Sequence, residues 1–302
     1  MKGSVWYEIE KKFNGNVVFN VKASDFTSYK TGGIVSAVFY PQSISEVLEL
    51  IDFLKSHNIS YFICGRATNI LVSDYGFDGV FIKTDKMSRY SFNDYYLDAE
   101  CGCLLDDMIK EAISRGLGGL ENLSYIPGSI GGAVRMNAGA FESEVFDKIE
   151  YFDAINLKNF KLERIYKRNI RYSYRYVEGV EDYFITSAFF VLDKKNKELL
   201  ERRRNEIISK RILKQPLELP SAGSVFKRPK KSYASKLIDE CGLKGRSVGG
   251  AKVSEKHAGF IVNTGNATSS DIYRLINIVR DEVYKKTGIM LELEQITVGR
   301  FD

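Results

Sequence analysis

Residues 121–141, ENLSYIPGSIGGAVRMNAGAF, decide the fold. Proline and then repeated glycine strip side chains from the backbone where a strand would turn. Gly128, Gly131, Gly132 and Gly139 allow positive φ and the close approach of a ligand. A bare backbone offers a row of N–H donors that can cup a phosphate. The spacing fits neither the dinucleotide fingerprint nor a Walker loop. Taken alone, such a cluster also fits a tight structural turn.

A second loop upstream changes the balance. Residues 64–84 read CGRATNILVSDYGFDGVFIKT. Tyr61 to Cys64 form a short apolar strand, Gly65-Arg66-Ala67-Thr68-Asn69 turn, and Ile70 to Val72 resume β character. Thr68 and Asn69 add side-chain donors to the backbone ones. One ligand with two phosphates, gripped by both loops, explains the pair better than two unrelated turns.

Outside the loops, Ser43 to Asn58 read as an amphipathic helix, with a Ser43–Glu46 capping box and a buried stripe of Val47, Leu48, Ile51 and Leu54. Residues 80–84 and 95–101 read as strands, and Leu104 to Arg115 as a helix stopped by Gly116. Segments 149–157, 160–167 and 183–192 are β-rich in Tyr and Phe. Helix 194–213 is basic; Leu199, Leu200, Ile207, Ile208 and Ile212 mark its apolar side, which turns Arg202, Arg203 and Arg204 partly to water. From Leu217 an α/β domain is expected, with helices at Ala234–Glu240 and from a Thr268–Asp271 capping box. Ile272, Leu275, Ile276, Val279 and Val283 form that last helix's apolar face, Gly288 ends it, and Ile289 to Val298 read as a final strand.

The 302 residues, 44% hydrophobic and 27% charged, have a globular composition. The start, Met1-Lys2-Gly3-Ser4-Val5-Trp6, lacks a secretory h-region, and no apolar run reaches bilayer length, so the expectation is a cytoplasmic protein without a membrane partner. Cys64, Cys101, Cys103 and Cys241 show no CxxC pair and no metal spacing, which predicts reduced, buried thiols and no metal. The net charge of +5 admits a nucleic-acid surface, but a solvated helix face explains 194–214 as well. Lys227, Arg228, Lys230, Lys231 and Lys236 offer a field suited to a diphosphate.

GRATNILVSDYGFDGVFI resembles the first flavin-binding loop of the UDP-N-acetylenolpyruvoylglucosamine reductase (MurB) family, and YIPGSIGGAVRMNAGAF resembles its second. The similarity continues in family order through TSYKTGG (27–33), RYSYR (171–175), PSAGSVFK (220–227), LIDECGLKG (237–245), GGAKVSEKHAGFIVN (249–263) and LELEQITVG (291–299). The loops alone indicate only the wider flavoprotein group; PSAGSVFK and GGAKVSEKHAGFIVN are particular to the reductase. The implied fold class is α/β (α+β): a two-part FAD-binding domain of the PCMH/vanillyl-alcohol-oxidase type plus a C-terminal α/β substrate-binding domain. Its parts would be 1–85, 86–200 and 201–302, with the last strand returning towards an active site at a domain junction.

The resemblance further implies a monomeric enzyme with FAD as cofactor and NADPH as hydride donor. It would reduce the UDP-sugar enolpyruvate to UDP-N-acetylmuramate in peptidoglycan precursor synthesis, without a nucleic-acid partner. FAD would be held by Gly65, Arg66, Ala67, Thr68, Asn69 and Ile70, and by Pro127, Gly128, Ser129, Gly131, Gly132, Asn137 and Gly139. Ser224 aligns with the family's proton donor, Arg175 with the arginine that holds developing carboxylate charge, and Glu294 with the catalytic carboxylate, Glu292 being second choice. Tyr174, Lys227, Lys244 and His257 fall to the substrate. By residue chemistry alone Ser224 also suits a local turn, His257 a structural hydrogen bond, and Arg175 a polar strand face shared with Arg171 and Ser173, opposite Tyr172, Tyr174 and Tyr176.

The chain departs from the family pattern with Ala67 and Tyr125 where glycine is usual, Thr68 for serine, and Leu293 for proline. The run from Arg175 to Ser224 is too short for one subtype's extra tyrosine loop, so the chain resembles the other subtype. Another FAD oxidase of the wider group is the alternative, although neither His57 nor His257 lies in the loops as a flavin tether.

Overall fold

The computed structural model describes residues 2–302; Met1, the first residue of the leader reading, lies outside them. The chain divides into two compact units. One takes the residues up to Val18 with Val38–Arg66 and Phe81–Lys210; the other takes Phe19–Ala37, Ala67–Val80 and Arg211–Asp302. A four-stranded sheet runs in the order Val17–Lys22, Ile34–Phe39, Phe77–Lys83, Ser60–Cys64, and the last of these strands delivers the chain to the first glycine loop.

The first unit is built on a five-stranded antiparallel sheet in the order Leu162–Tyr166, Ile149–Asn156, Tyr183–Val191, Tyr96–Glu100, Tyr90–Asn93. Its central strand alternates over its second half, burying Ala188 and Phe190 on one face. The alternation slips at Thr186, where the register against Asp153 and Ala154 shifts by a bulge and the Thr186 hydroxyl donates to the Asp153 carbonyl at 2.9 Å. The helix Ile130–Arg135, which follows the second glycine loop, packs on this strand. That contact anchors the loop to the most buried part of the sheet.

The helix Ile44–Ser56 starts on Ser43 as expected, but only half the capping box forms. The Ser43 hydroxyl accepts from the Glu46 amide, whereas the Glu46 carboxylate takes the amide of Gln42 at 2.8 Å. Its buried stripe is Val47, Leu50, Ile51 and Leu54, with Leu50 in the place expected for Leu48, because i, i+3, i+4 and i+7 keep one face.

The helix Lys197–Lys214 departs further from expectation. Leu199 is 60% and Ile212 53% exposed, while Leu200 and Ile207 are buried. Arg202 faces water and Arg203 does so in part, as expected, but Arg204 turns inward, its side chain 14% exposed. Arg204 forks onto both oxygens of Asp106 at 2.6 and 2.8 Å, and Arg203 donates to Asn122 at 2.8 Å. A partner distant in sequence thus turns a charged side chain inward.

The second unit carries the antiparallel strands Ser247–Val248, Ala251–Val253 and Ile261–Asn263 with the helices Ala234–Glu240 and Ser269–Thr287. The Thr268–Asp271 capping box closes with both bonds at 3.0 Å, and Gly288 ends the helix at φ +70°. Ile272, Leu275, Ile276, Val279 and Val283 are all buried, each contributing roughly 1.5–3 kcal/mol of apolar burial. The expected final strand is cut short. Only Ile296–Val298 is strand, parallel to Ile70–Val72, whereas Leu293 pairs with Phe226 in the opposite sense. A segment that changes partner and direction within three residues cannot keep one ladder.

All four cysteines are free and buried. Cys101 and Cys103 lie in a turn beyond the strand Tyr96–Glu100 rather than on it. Burial pushes the Cys64 thiol up to about 12 and that of Cys103 to about 11, so both remain protonated at neutral pH. No helix among the described residues is long and apolar enough to cross a membrane.

Candidate active site

The glycines of the second loop serve a different purpose from the one their residue type suggests. Only Gly128 adopts positive φ, at 144°. Gly131 and Gly132 open the helix Ile130–Arg135, where the Ser129 hydroxyl caps the Gly132 amide at 3.4 Å. The amides of Ile130 and Gly131 donate to the carbonyls of Cys103 and Cys101, each at 2.8 Å. The row of donors expected to face a phosphate is therefore taken up inside the protein from Ile130 to Gly132. Gly131 is required for packing, since an added Cβ would stand 2.8 Å from that of Cys101, and Gly139 because one would lie 2.7 Å from the Ser143 carbonyl.

The two glycine loops do meet. A Cβ on Gly65 would lie 2.0 Å from the Ser129 hydroxyl, so the backbones form one seam with no room for a side chain. Lys83, only 5% exposed, donates to the Gly65 carbonyl at 2.9 Å and pairs with Asp85 at 3.1 Å; Arg66 pairs with the same carboxylate at 2.7 Å. The seam thus combines bare backbone, a hydroxyl and two cations shared by one anion. Its excess positive charge suits a bound diphosphate, and the residues present fit the pyrophosphate of a dinucleotide.

Ala67 and Tyr125, the two replacements of glycine, both occupy the left-handed region, at φ +54° and +65°. A side chain there costs roughly 1–2 kcal/mol. The Tyr125 amide donates to Asp106 at 2.5 Å, which holds it against the strain. Tyr125→Gly should raise stability by about 0.5–1 kcal/mol, the relief less the extra unfolded-state entropy. Ala67→Gly should come out near neutral, because its buried methyl group is lost as well. Urea midpoints of both variants, with FAD in excess, check the contrast.

Arg175 does not lie on a continuous strand. Tyr172–Ser173 and Tyr176–Val177 pair as a hairpin, and Tyr174 and Arg175 form its tip, Arg175 at φ +54°. The one-sided alternation expected for Arg171, Ser173 and Arg175 is thereby broken. The guanidinium donates to the carbonyls of Asn137 at 3.2 Å and Gly139 at 2.8 Å and lies 4.8 Å from the Tyr174 ring. Asn137 has no exposed surface. Its amide donates to Glu144 at 2.6 Å and to the Ser173 carbonyl at 2.9 Å, and its oxygen accepts the Phe146 amide. The Asn137 side chain thus faces the interior and fastens Arg175's hairpin to the second loop.

Ser224 and Glu294 lie on neighbouring segments of the second unit. Ser224 bridges to Phe260, and the Glu294 amide donates to the carbonyl of Val225, the next residue, at 2.9 Å. Gly223 takes φ +75° with open space around it, so conformation sets the glycine there. Asn69 of the first loop brackets the carboxylate residue. Its side chain donates to the Glu294 carbonyl at 3.0 Å and its own carbonyl accepts the Ile296 amide at 3.0 Å. Glu294 is half-buried, whereas the Glu292 side chain is 76% exposed beside Lys227 at 3.7 Å.

Lys244 pairs with Asp239 at 2.7 Å; exposed pairs of this kind and the Lys227 one contribute at most about 1 kcal/mol, which leaves both lysines available to an anion. His257 accepts the Gly259 amide on Nδ1 at 3.2 Å and meets Phe260 edge-on at 4.9 Å. Burial, then the cations Lys244 and Lys214, hold its pKa below the ordinary 6.5. The folded protein thus binds fewer protons at His257 than the unfolded chain. Stability from this group is intact above about pH 6.5 and falls as the pH drops below it. In urea unfolding from about pH 7.5 to about pH 5.5, His257→Asn, whose oxygen can take the same amide, should lose less stability than wild type.

Sequence reasoning missed Gln295 and Tyr29. Tyr29 is fully buried and donates to the Gln295 side chain at 3.0 Å, and burial raises its phenol pKa well above 10. The only signal was the presence of both inside quoted motifs, TSYKTGG and LELEQ.

The model of an FAD binding domain matches residues 35–159, and that of the UDP-N-acetylenolpyruvoylglucosamine reductase C-terminal domain matches 215–298. With the sheets and loops described above, these matches define a two-part FAD-binding fold of the PCMH/vanillyl-alcohol-oxidase type that carries a C-terminal α/β domain. UDP-N-acetylenolpyruvoylglucosamine reductase of Caldicellulosiruptor saccharolyticus is 40% identical over 97% of this chain and 95% of its own length, and that of Clostridium tetani 40% over 96% and 95%. The crystal structure of the reductase from Thermus caldophilus superposes with a TM-score of 0.81 at 30% identity, covering 92% of this chain and 98% of that one. The chain belongs to the UDP-N-acetylenolpyruvoylglucosamine reductase family.

Proposed function

We propose that the protein is an NADPH-dependent reductase that converts the enolpyruvyl ether of UDP-N-acetylglucosamine to UDP-N-acetylmuramate. Bound FAD would supply the two-electron chemistry, taking hydride from NADPH and giving it to the β-carbon of the enolpyruvyl group. Everything else falls to this chain's side chains. Gly65, Arg66 and Ser129 at the seam would hold the pyrophosphate. Ser224 Oγ would deliver a proton to the α-carbon; a hydroxyl suffices because the acceptor, an enediolate-like carbanion, is strongly basic. Arg175's planar fork would take the substrate carboxylate as negative charge spreads into it. Glu294 would polarise the substrate or relay the proton, and Lys227, Lys244 and the basic run to Lys236 would meet its diphosphate.

The observation that carries this reading is the pairing of Ser224 and Glu294 on adjacent segments, with Asn69 of the first loop bonded to the Glu294 carbonyl. Segments 1–85 and 86–200 would serve FAD and 201–302 the sugar nucleotide, in a cytoplasmic monomer. Mixing the holoenzyme anaerobically with NADPH should bleach the flavin, and the enolpyruvyl sugar nucleotide should restore its colour. Restoration by oxygen alone would favour the oxidase alternative; a protein that takes up no FAD would exclude both.

A further inference from the structure

Ser224 stands on a loop whose hydrogen bonding is controlled by a residue next to Glu294. The Gln295 side chain is only 4% exposed. Its amide nitrogen donates to the Ala222 carbonyl at 3.0 Å and to that of Gly223 at 3.3 Å, the two residues that precede Ser224. Its oxygen accepts the Tyr29 hydroxyl at 3.0 Å. That bond fixes which end of the amide faces the loop, because a phenol with its pKa raised by burial stays a donor. Tyr29 is itself held: the Asn263 side chain donates to its backbone carbonyl at 2.9 Å. Gly223 bends the chain just before the serine at φ +75°, with nothing within 4 Å of an added Cβ, so no neighbouring side chain braces that bend from the Cβ side.

Resting on the reductase reading above, we propose that Gln295 is a positioning residue: its amide, oriented by Tyr29, holds the Ser224 loop in register with Glu294. One backbone step then sets both groups. Glu294 is placed by its own amide on Val225, and Ser224 by its neighbour's side chain.

Gln295→Met keeps length and volume but removes the donor and the acceptor. In the holoenzyme it should leave flavin reduction by NADPH within about twofold of wild type. Reoxidation by the enolpyruvyl sugar nucleotide should slow on the order of 10- to 100-fold, the penalty for ångström-scale misplacement of a reacting group, with KM little changed. Tyr29→Phe, which removes one oxygen, should move the same half-reaction in the same direction by less, and it decides the matter if Gln295→Met does not fold. In a Ser224→Ala background, Gln295→Met should add no further loss, since it acts through that serine. Equal slowing of both half-reactions, no slowing in either single variant, or a full additional loss in the Ser224→Ala background would overturn the proposal. A wild-type flavin that the sugar nucleotide cannot reoxidise would instead overturn the reductase reading, and this inference with it.

Discussion

Replacing Ser224 with alanine should leave a yellow protein that NADPH bleaches at the wild-type rate and that the enolpyruvyl sugar nucleotide reoxidises about 100- to 10,000-fold more slowly. That range is the usual contribution of a positioned proton donor. The asymmetry is the informative part. Ser224 contributes to the fold through its backbone, by the bridge to Phe260 and by Val225 donating to the Gly259 carbonyl, and alanine keeps both. The loss should therefore appear only where a proton must reach the α-carbon. Comparable loss in both half-reactions would signify a damaged flavin site, and an unchanged reoxidation rate would remove Ser224 from the chemistry.

The second large effect is expected at the seam between the loops. Gly65→Ala places a Cβ 2.0 Å from the Ser129 hydroxyl and 3.0 Å from its Cβ, distances that force one loop to move. Gly65 is not among the positive-φ glycines, so strain is not a confounding cause. Overpacking of this kind costs roughly 1–3 kcal/mol. If the strain is relieved when the loops part, FAD affinity should fall about 10- to 100-fold, measurable by flavin fluorescence on titration. Gly132→Ala is the control: its added Cβ would stand 3.6 Å from the same hydroxyl, an ordinary contact, and should leave affinity nearly unchanged. Combining Gly65→Ala with Ser129→Ala removes the closest clash and should recover part of the loss. Equal affinities for Gly65→Ala and wild type would mean the seam does not touch the cofactor.

What was legible in the sequence depended on how local its cause was. The helix Ser269–Thr287 was readable residue by residue because its caps and apolar stripe lie within its own length. In the helix Lys197–Lys214 the inward turn of Arg204 was not readable because its partner, Asp106, is remote in sequence. The RYSYR hairpin was hidden for a related reason. Its tip places Arg175 at positive φ, and arginine carries none of the turn signal that glycine or asparagine would. The LELEQ segment alternates like one strand, yet its partners change from Phe226 to Ile70, which no periodicity records.

The candidate site shows the same division. Glycine spacing identified two loops, but not that the Ile130 and Gly131 amides would be taken by Cys103 and Cys101. Ser224, Arg175 and Glu294 emerged from family resemblance; by residue type each also suited an ordinary structural place. Gln295 was invisible because its role is a tertiary one, reaching back more than seventy positions to Ala222 and Gly223.

The seam formed by Gly65 and Ser129 is the claim on which the cofactor, and hence the chemistry, depends. A crystal structure of the protein with FAD tests it most directly. The pyrophosphate should lie along that seam, within hydrogen-bonding distance of the Gly65–Arg66 backbone and the 127–129 turn. A flavin bound elsewhere, with its phosphates remote from both glycine loops, would contradict the account.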